Sequence, residues 1–344
     1  MGSGYVYARW ANPTVDAFAA AVAGLEGAAA AEAFSSGMAA ISSIFLSLCS
    51  SGDRIAAARQ LYGGTYSLLS HTLPRFGIST TFEDVADLDA IRTACDGARL
   101  LYCETIGNPV VEVADLDALA EIATSAGIPL IVDNTFASPI LCRPLEHGAS
   151  LVMHSATKFL GGHHDLTGGV ICGDPELVAA IRTLAWELGP TMSPFSAWLA
   201  LRGMATLQLR VERTSNTAHT VAAALAARDD IATVNYPGLD GDPSSNLART
   251  VLGGRGGGVI GFSVEGGKER TTRFQDSLRL VLPAASLGGT HSLIVHAASV
   301  THTQLTPDEL GSVGIDEGFC RLSVGLEDPD DLVEDLLQAL DASG

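Results

Sequence analysis

Positive charge is scarce in this sequence. Its 344 residues include 20 lysines and arginines against 39 aspartates and glutamates, which gives a formal net charge of −19. A protein this acidic repels the phosphates of nucleic acids and of anionic membrane surfaces. We therefore exclude both as partners and expect a small-molecule ligand.

Long apolar runs and paired cysteines are also missing. No apolar segment is long enough to span a bilayer, and the nearest candidate, residues 39–53, is interrupted by serines and favours a buried helix. The six cysteines lie far apart without a CxxC pair, and the chain shows no secretory leader. We expect reduced thiols in a cytoplasmic protein.

The first two thirds of the chain alternate helical patterns with short β-rich runs. This alternation is typical of an α/β fold in which a mainly parallel sheet is sandwiched by helices. Strands are predicted over 98–105, 128–135, 149–156 and 168–173. Helices are predicted over 113–127 and 175–189, with a long helical stretch over 193–228.

The last third changes texture and predicts a smaller α+β domain. Glycine- and proline-rich turns at 235–245 and 253–258 precede a strand-like run. The glycine cluster at 253–258 lacks the preceding strand, the following helix and the Lys-Ser/Thr pair of a P-loop. We interpret it as a turn that leads into a strand.

Reactive side chains follow three of the predicted strands. Because ligands bind beyond the carboxyl ends of strands in such sheets, these residues are expected to meet at one rim. They are Glu104, Asn108, Asp133, Ser155, Thr157 and Lys158. A strand-end acid 25 residues before a strand-end lysine matches the needs of pyridoxal phosphate (PLP), which forms a Schiff base with lysine and uses a carboxylate to keep its pyridine nitrogen protonated.

Two further motifs bear on ligands. The Ser-Ser-Gly turn at 35–37 runs into a predicted helix, whose N-terminal amides would bind the cofactor phosphate. His163, His164 and Asp165 resemble a metal cluster, but no further ligand follows at metal spacing. We predict no metal site.

Ten segments, in order, carry a resemblance to a known family. They are YVYARWANPT (5–14), SSGMAAI (35–41), LYGGTY (61–66), ETIGNP (104–109), VDNTF (132–136), HSATKFLGGH (154–163), SPFSAWLALRGMATLQLR (193–210), VNYPGL (234–239), SLGGTHSL (286–293) and RLSVGLED (321–328). On these motifs the sequence resembles the Cys/Met-metabolism, or trans-sulfuration, family of PLP-dependent enzymes over nearly its whole length. That family includes methionine and cystathionine γ-lyases, homoserine-ester sulfhydrylases and cystathionine γ-synthase.

The resemblance implies the PLP-dependent transferase fold type I. Residues 1–12 would be the remnant of an N-terminal arm that reaches the neighbouring subunit. Residues 13–210 would form the large PLP-binding domain, and residues 211–344 the C-terminal domain. A homodimer would be the minimum catalytic unit, and a homotetramer is expected.

The resemblance also implies roles around the cofactor. Lys158 would form the Schiff base and shuttle protons, Asp133 would pair with the pyridine nitrogen, and Tyr62 would stack on the ring and act as acid or base. The remaining cofactor contacts would be Ser36, Gly37, Met38, Glu104, Asn108, Ser155 and Thr157, with Tyr7 and Arg9 reaching the phosphate of the neighbouring subunit. Arg321 would clamp the substrate α-carboxylate, and Ser286, Asn108 and Tyr62 would complete substrate binding.

The resemblance leaves the reaction open. The main expectation is γ-elimination on methionine, homocysteine or cystathionine, which gives 2-oxobutyrate, ammonia and a thiol. An alternative is γ-replacement on O-acetyl- or O-succinylhomoserine. A third alternative, of another class, is a non-catalytic PLP-binding regulatory protein.

Overall fold

The structure, a computed structural model, describes residues 4–300, 310–311 and 314–344. The chain divides into two compact units. The first unit comprises Met1–Arg59, Gly64–Thr105 and Ala114–Leu207, and the second comprises Gln60–Gly63, Ile106–Val113 and Gln208–Gly344. The domain boundaries expected from the sequence did not include the two short segments that join the second unit, and those boundaries stay a prediction.

A seven-stranded mixed sheet forms the centre of the described part of the first unit. Its strands are β1 (Ala30–Phe34), β2 (Arg54–Ala58), β3 (Ser79–Glu83), β4 (Leu100–Glu104), β5 (Leu130–Asp133), β6 (Leu151–Ser155) and β7 (Gly169–Gly173). Their order is β1-β7-β6-β5-β4-β2-β3, and β7 runs antiparallel to both of its neighbours while the remaining pairs are parallel. The residues of β4, β5 and β7 are all buried, as expected for strands covered on both faces.

Helices flank the strands of this sheet. They are α1 (Pro13–Glu26), α2 (Gly37–Leu48), α3 (Gly63–Ser67), α4 (Leu88–Cys95), α5 (Leu116–Ala126), α6 (Ser138–Leu141), α7 (Pro175–Leu188) and α8 (Pro194–Met204), with a π-helix at Leu68–Thr72 and 3₁₀ turns at Leu73–Phe76 and Pro144–His147. Side-chain oxygens of Asn12, Ser36, Asp115 and Asp174 accept hydrogen bonds from backbone N–H groups at the helix starts. The sequence thus marks where these helices begin.

The four predicted strands and the helices predicted over 113–127 and 175–189 are confirmed, with ends displaced by a few residues. The long helical stretch expected over 193–228 is instead two helices, α8 and α9 (Leu207–Ala226). Both the backbone N–H and the hydroxyl of Thr206 donate to the carbonyl of Gly203, each at 3.2 Å. This tight three-residue closure ends α8 before α9 begins.

A five-stranded sheet and helices form the described part of the second unit. The strands are β8 (Ile231–Asn235), β9 (Val259–Val264), β10 (Leu282–Pro283), β11 (Leu293–His296) and β12 (Phe319–Ser323), in the order β10-β11-β12-β9-β8. Its further helices are α10 (Ser245–Val251), α11 (Gly267–Asp276), α12 (Ala297–Val300) and α13 (Pro329–Ser343). Phe262, Phe274 and Leu336 belong to its buried apolar core, so the unit has an interior of its own. Within the described ranges no helix is long and apolar enough to cross a membrane.

Candidate active site

The first cluster of predicted site residues lies where α2 begins. Ser36 caps α2, and its Oγ accepts the N–H of Ala39 at 3.0 Å. The N–H groups of the first helical turn, which includes Gly37 and Met38, therefore lie at the positive end of the helix dipole. Such a helix start is a binding site for an anion.

The α2 start packs closely against the end of β6. A Cβ atom added to Gly37 would lie 2.8 Å from the Cβ of Ser155, so a larger residue would displace the strand. The Ser155 N–H donates to the hydroxyl of Thr135 at 2.8 Å, which fixes the end of β6 against the end of β5. We call Ser36, Gly37, Met38, Ser155 and Thr157 the α2 cradle.

Lys158 lies in the turn that follows β6. Its N–H donates to the Ser155 carbonyl at 3.1 Å, and its carbonyl accepts the Gly162 N–H at 2.8 Å. The hydroxyl of Thr157 accepts the N–H of Gly168 at 3.1 Å, which ties the turn to the start of β7. The half-buried lysine is thus carried by a backbone held at both ends.

Asp133 ends β5, directly beside Glu104 at the end of β4. The parallel register pairs these two residues, and both side chains are buried. The Thr135 N–H donates to Asp133 Oδ1 at 2.9 Å. Two carboxylates at one level of a buried sheet favour a positively charged partner at this edge.

Burial dominates the electrostatics of Asp133. Burial raises the pKa of this carboxyl group, while the hydrogen bonds of Thr135 and the charge of His154 lower it by less. The net direction is upward, so the ionised carboxylate is poorly stabilised by its surroundings. A cation placed against it would therefore be held strongly.

A second cluster lies within the second unit. Arg321 on β12 donates from Nη1 to Oδ1 of Asn108 at 2.8 Å and from Nη2 to the carbonyl of Ser286 at 3.1 Å. Arg321 and Asn108 are both buried, and Ser286 has a φ of 100°, in the region that favours glycine. These contacts fix the guanidinium, which can bind a carboxylate in a bidentate manner.

The other three predicted residues are Tyr62, Tyr7 and Arg9, which lie outside the groups of residues described above. Tyr62 belongs to the Gln60–Gly63 segment of the second unit, and its side chain is 46% exposed. Tyr7 and Arg9 lie on the surface of the first unit, where Arg9 Nη1 donates to the Trp186 carbonyl and its guanidinium lies 5.2 Å from the Tyr7 ring centroid. The predicted contact of Tyr7 and Arg9 with a neighbouring subunit stays a prediction.

Sequence reasoning missed the residues that hold the site residues in place. Thr135 bonds to both Asp133 and Ser155, although the sequence analysis gave it no role. The buried pair of Glu26 and His154 was also missed. The Asp-Asn-Thr sequence is a turn signal that points to Thr135, whereas no local signal marks Glu26.

A family model described as Cys/Met metabolism PLP-dependent enzyme matches residues 1–341. The chain belongs to this family. The fold and recognition expected from the sequence are thereby confirmed, as is PLP as the cofactor.

Individual relatives agree with the family assignment. An L-methionine γ-lyase of Pseudomonas putida is 43% identical over 344 residues, which cover 99% of this chain and 86% of the relative. An O-acetyl-L-homoserine sulfhydrylase of Leptospira meyeri is 40% identical and covers 98% of this chain and 86% of its own length. These names cover both the elimination and the replacement expected from the sequence and leave the choice between them open.

A solved structure shows the same fold. The putative O-acetylhomoserine (thiol)-lyase of Campylobacter jejuni, solved with N'-pyridoxyl-lysine-5'-monophosphate, superimposes with a TM-score of 0.95 at 34% identity. The match covers 99% of this chain and 89% of the other.

The residues of the first unit fit PLP chemically. The close approach of Gly37 to Ser155 leaves the α2 cradle without a side chain at its base, as backbone binding of a phosphate requires. The buried Asp133 carboxylate, with its raised pKa, suits a protonated ring nitrogen. Family membership and local chemistry therefore agree.

We predict that Asp133→Asn stabilises the cofactor-free protein. Because burial raises the pKa of Asp133 above its unfolded value, ionisation of this group opposes folding, and stability is lost as the pH rises through the folded-state pKa. At pH 8 the variant should unfold at a higher temperature than the wild type. The difference should disappear as the pH falls towards about 4, the ordinary pKa of aspartate. Calorimetry of both apoproteins across this pH range measures the effect.

Asp165→Asn is the matched control, because Asp165 is an exposed aspartate of the same unit. Its unfolding temperature should follow that of the wild type at each pH. If Asp133→Asn instead lowered the unfolding temperature at pH 8, the prediction would be wrong. Other groups of the protein would then have to stabilise the ionised Asp133 carboxylate.

Proposed function

We propose that this protein catalyses PLP-dependent γ-elimination on a sulfur-containing amino acid such as methionine, homocysteine or cystathionine. The products would be 2-oxobutyrate, ammonia and a thiol. The observation that carries the proposal is the buried Asp133 at the end of β5, beside the strand that leads to the Lys158 turn. When bound, PLP supplies an electron sink for the bonds at the substrate Cα.

The residues of the first unit would hold the cofactor and move protons. The α2 cradle binds the phosphate through backbone N–H groups and hydroxyls, and Asp133 keeps the pyridine nitrogen protonated. Glu104, in register with Asp133, lies at the same edge of the sheet. The Lys158 amine would attach the cofactor and would carry protons between the substrate Cα and Cβ.

The residues of the second unit would bind the substrate. Arg321 holds the α-carboxylate, because its guanidinium is already oriented by Asn108 and by the carbonyl of Ser286. Tyr62 would supply its phenol to stack on the cofactor ring and to exchange a proton with the substrate amine or the leaving group.

A second candidate is γ-replacement on O-acetyl- or O-succinylhomoserine. It is supported by the match to homoserine sulfhydrylases at 40 and 41% identity. Replacement begins with the same proton removals and differs only in the nucleophile that adds after the leaving group departs. The same residues would serve both reactions.

We propose in addition that the protein acts in the cytoplasm as a homodimer at least. All six cysteines are buried free thiols, which fits a reducing compartment. The surface of the first unit carries exposed Tyr7, Trp10 and Trp198, and apolar surface of this kind favours association. Tyr7 and Arg9 would reach the phosphate bound by the other subunit. Sedimentation equilibrium should give a dimer or tetramer at micromolar concentration, and a monomer would contradict the proposal.

Lys158 should be the attachment point of the cofactor. The chain has two lysines, Lys158 and the exposed Lys268 on α11, so borohydride reduction of the yellow protein has two possible targets. We expect the label on the Lys158 peptide by mass spectrometry. Lys158→Ala should lose turnover by at least about 10³-fold, because the nucleophile and the proton carrier are lost together. Lys268→Ala is the control and should remain fully active, whereas an active Lys158→Ala variant would refute the mechanism.

Substrate trials separate the two reactions. Methionine, cystathionine and O-acetyl- and O-succinylhomoserine are each offered with and without a thiol. Release of 2-oxobutyrate without added thiol, with a kcat/KM that added thiol does not raise, is the result expected for a lyase. Formation of a new thioether or homocysteine, with little 2-oxobutyrate, would favour replacement and overturn the main proposal.

A further inference from the structure

A buried acid–histidine pair lies beneath the predicted cofactor carboxylate. His154 Nε2 lies 2.6 Å from Oε1 of Glu26, and the two side chains are 1% and 0% exposed. Glu26 is the last residue of α1, and His154 lies on β6. At this distance the ring nitrogen and the carboxylate oxygen form a hydrogen bond.

The sheet register separates this pair from Asp133 by the thickness of the sheet. Asp133 is in register with Met153, so their side chains share one face, and His154 and Asn134, the next residues, point to the other face. Asn134 confirms this geometry, because its Nδ2 donates to Glu26 Oε1 at 2.9 Å. The pair therefore lies directly behind the carboxylate.

The network also anchors the backbone beside Asp133. Asn134 Nδ2 donates to the Cys142 carbonyl at 2.8 Å, and its Oδ1 accepts the Thr105 hydroxyl at 2.8 Å. Thr105 in turn donates its N–H to the Asp133 carbonyl at 3.0 Å. A change in the Glu26–His154 pair therefore affects Asn134, which follows Asp133, and Thr105, which donates to the Asp133 carbonyl.

The Glu26–His154 pair by itself does not favour the folded state. Glu26 is fully buried at the negative end of a helix, and its Oε2 accepts no hydrogen bond from the part of the chain that the structure describes. Buried ion pairs can often be replaced by apolar residues without loss of stability. Packing therefore does not explain why an acid and a histidine lie there.

We propose that Glu26 and His154 are positioning residues that set the charge of Asp133 from the opposite face of the sheet, and through it the protonation of the cofactor ring. The proposal rests on the proposed pairing of Asp133 with the pyridine nitrogen. Burial raises the pKa of Asp133 and the charge of His154 lowers it, and Glu26 pairs with His154 at 2.6 Å. The pair thus opposes the effect of burial on the pKa of Asp133.

Acids, a phenol and thiols also lie near the pair and Asp133 in the described part of the chain. Glu104 and Tyr102 lie on the Asp133 face, and Cys103 lies between them in the strand. Burial, followed by the charges of Asp133 and Glu104, raises the pKa of Tyr102, so it stays neutral. Near Glu26 lie Cys142 and Cys172, whose pKa values burial raises, with the Glu26 charge adding to the effect.

The test uses the purified holoenzyme of His154→Gln, in which an amide can still donate to Glu26 but carries no charge. Without the positive charge Asp133 retains a proton more readily, the ring nitrogen loses its charge, and the imine nitrogen becomes more basic. The pKa read from the visible absorption band of the lysine-bound cofactor should therefore rise by about one unit. The affinity for free PLP, measured by equilibrium dialysis, should fall about tenfold.

Glu26→Gln should shift the cofactor titration in the same direction, because the carboxylate that pairs with His154 is lost. The double variant Glu26→Gln/His154→Gln should shift it no further than either single variant, because both single variants break the same pair. His147→Gln is the matched control: His147 pairs with Asp117 at 2.9 Å on the surface of the same unit, and its loss should leave the titration unchanged.

Each outcome decides the proposal. An unchanged titration in His154→Gln and Glu26→Gln, with PLP still attached to Lys158, would overturn it while the proposed function stands. A wild-type protein that takes up no PLP would instead refute the proposed function. If the single variants do not fold, Glu26→Leu/His154→Leu, which removes both titratable groups of the pair, carries the same test. Failure of all of these variants to fold would assign the pair a structural role and overturn the proposal.

Discussion

The burial of one carboxylate is the constraint on which the candidate site depends. Asp133 ends a strand whose residues are all buried, and its pKa is raised by that burial. In water such a group would bind a ring nitrogen weakly, because solvent screens the charge. Inside the sheet edge, the proposed pairing would be strong and would keep the nitrogen protonated, which is the condition for PLP to act as an electron sink. The parallel sheet is what creates this dry edge.

The proposed phosphate end of the site follows a different principle. The α2 cradle offers backbone N–H groups and hydroxyls, and among its five residues none is charged. A helix start binds an anion through dipoles that are fixed in direction and need no counter-charge. A chain with a net charge of −19 could thus bind an anion at this helix start without a basic residue in the cradle. It demands close packing instead, which is why Gly37 must tolerate Ser155 at contact distance.

The sequence located the ends of β4, β5 and β6 to within a few residues because each of these strands ends an apolar run at a polar residue. Asp133 and Lys158 could be placed on one edge from this pattern alone. Glu26 could not be found in this way, because its partner Asn134 is 108 positions away and no local motif marks a helix end for burial of a carboxylate. The grouping of Ile106–Val113 with the second unit was missed for the same reason: it depends on contacts remote in sequence.

The family motifs do not separate elimination from replacement, because they contain the residues that both reactions share. The groups in the motifs are proposed to bind the cofactor, fix the α-carboxylate and move protons at Cα and Cβ, and both reactions need all of these steps. The reactions diverge only after the leaving group departs, when either a proton or a nucleophile adds. That choice depends on which molecule can approach the substrate side chain, and therefore on residues that carry no charge or proton in the shared steps. Such residues act through the shape of the pocket, so motifs of acidic and basic residues do not identify them.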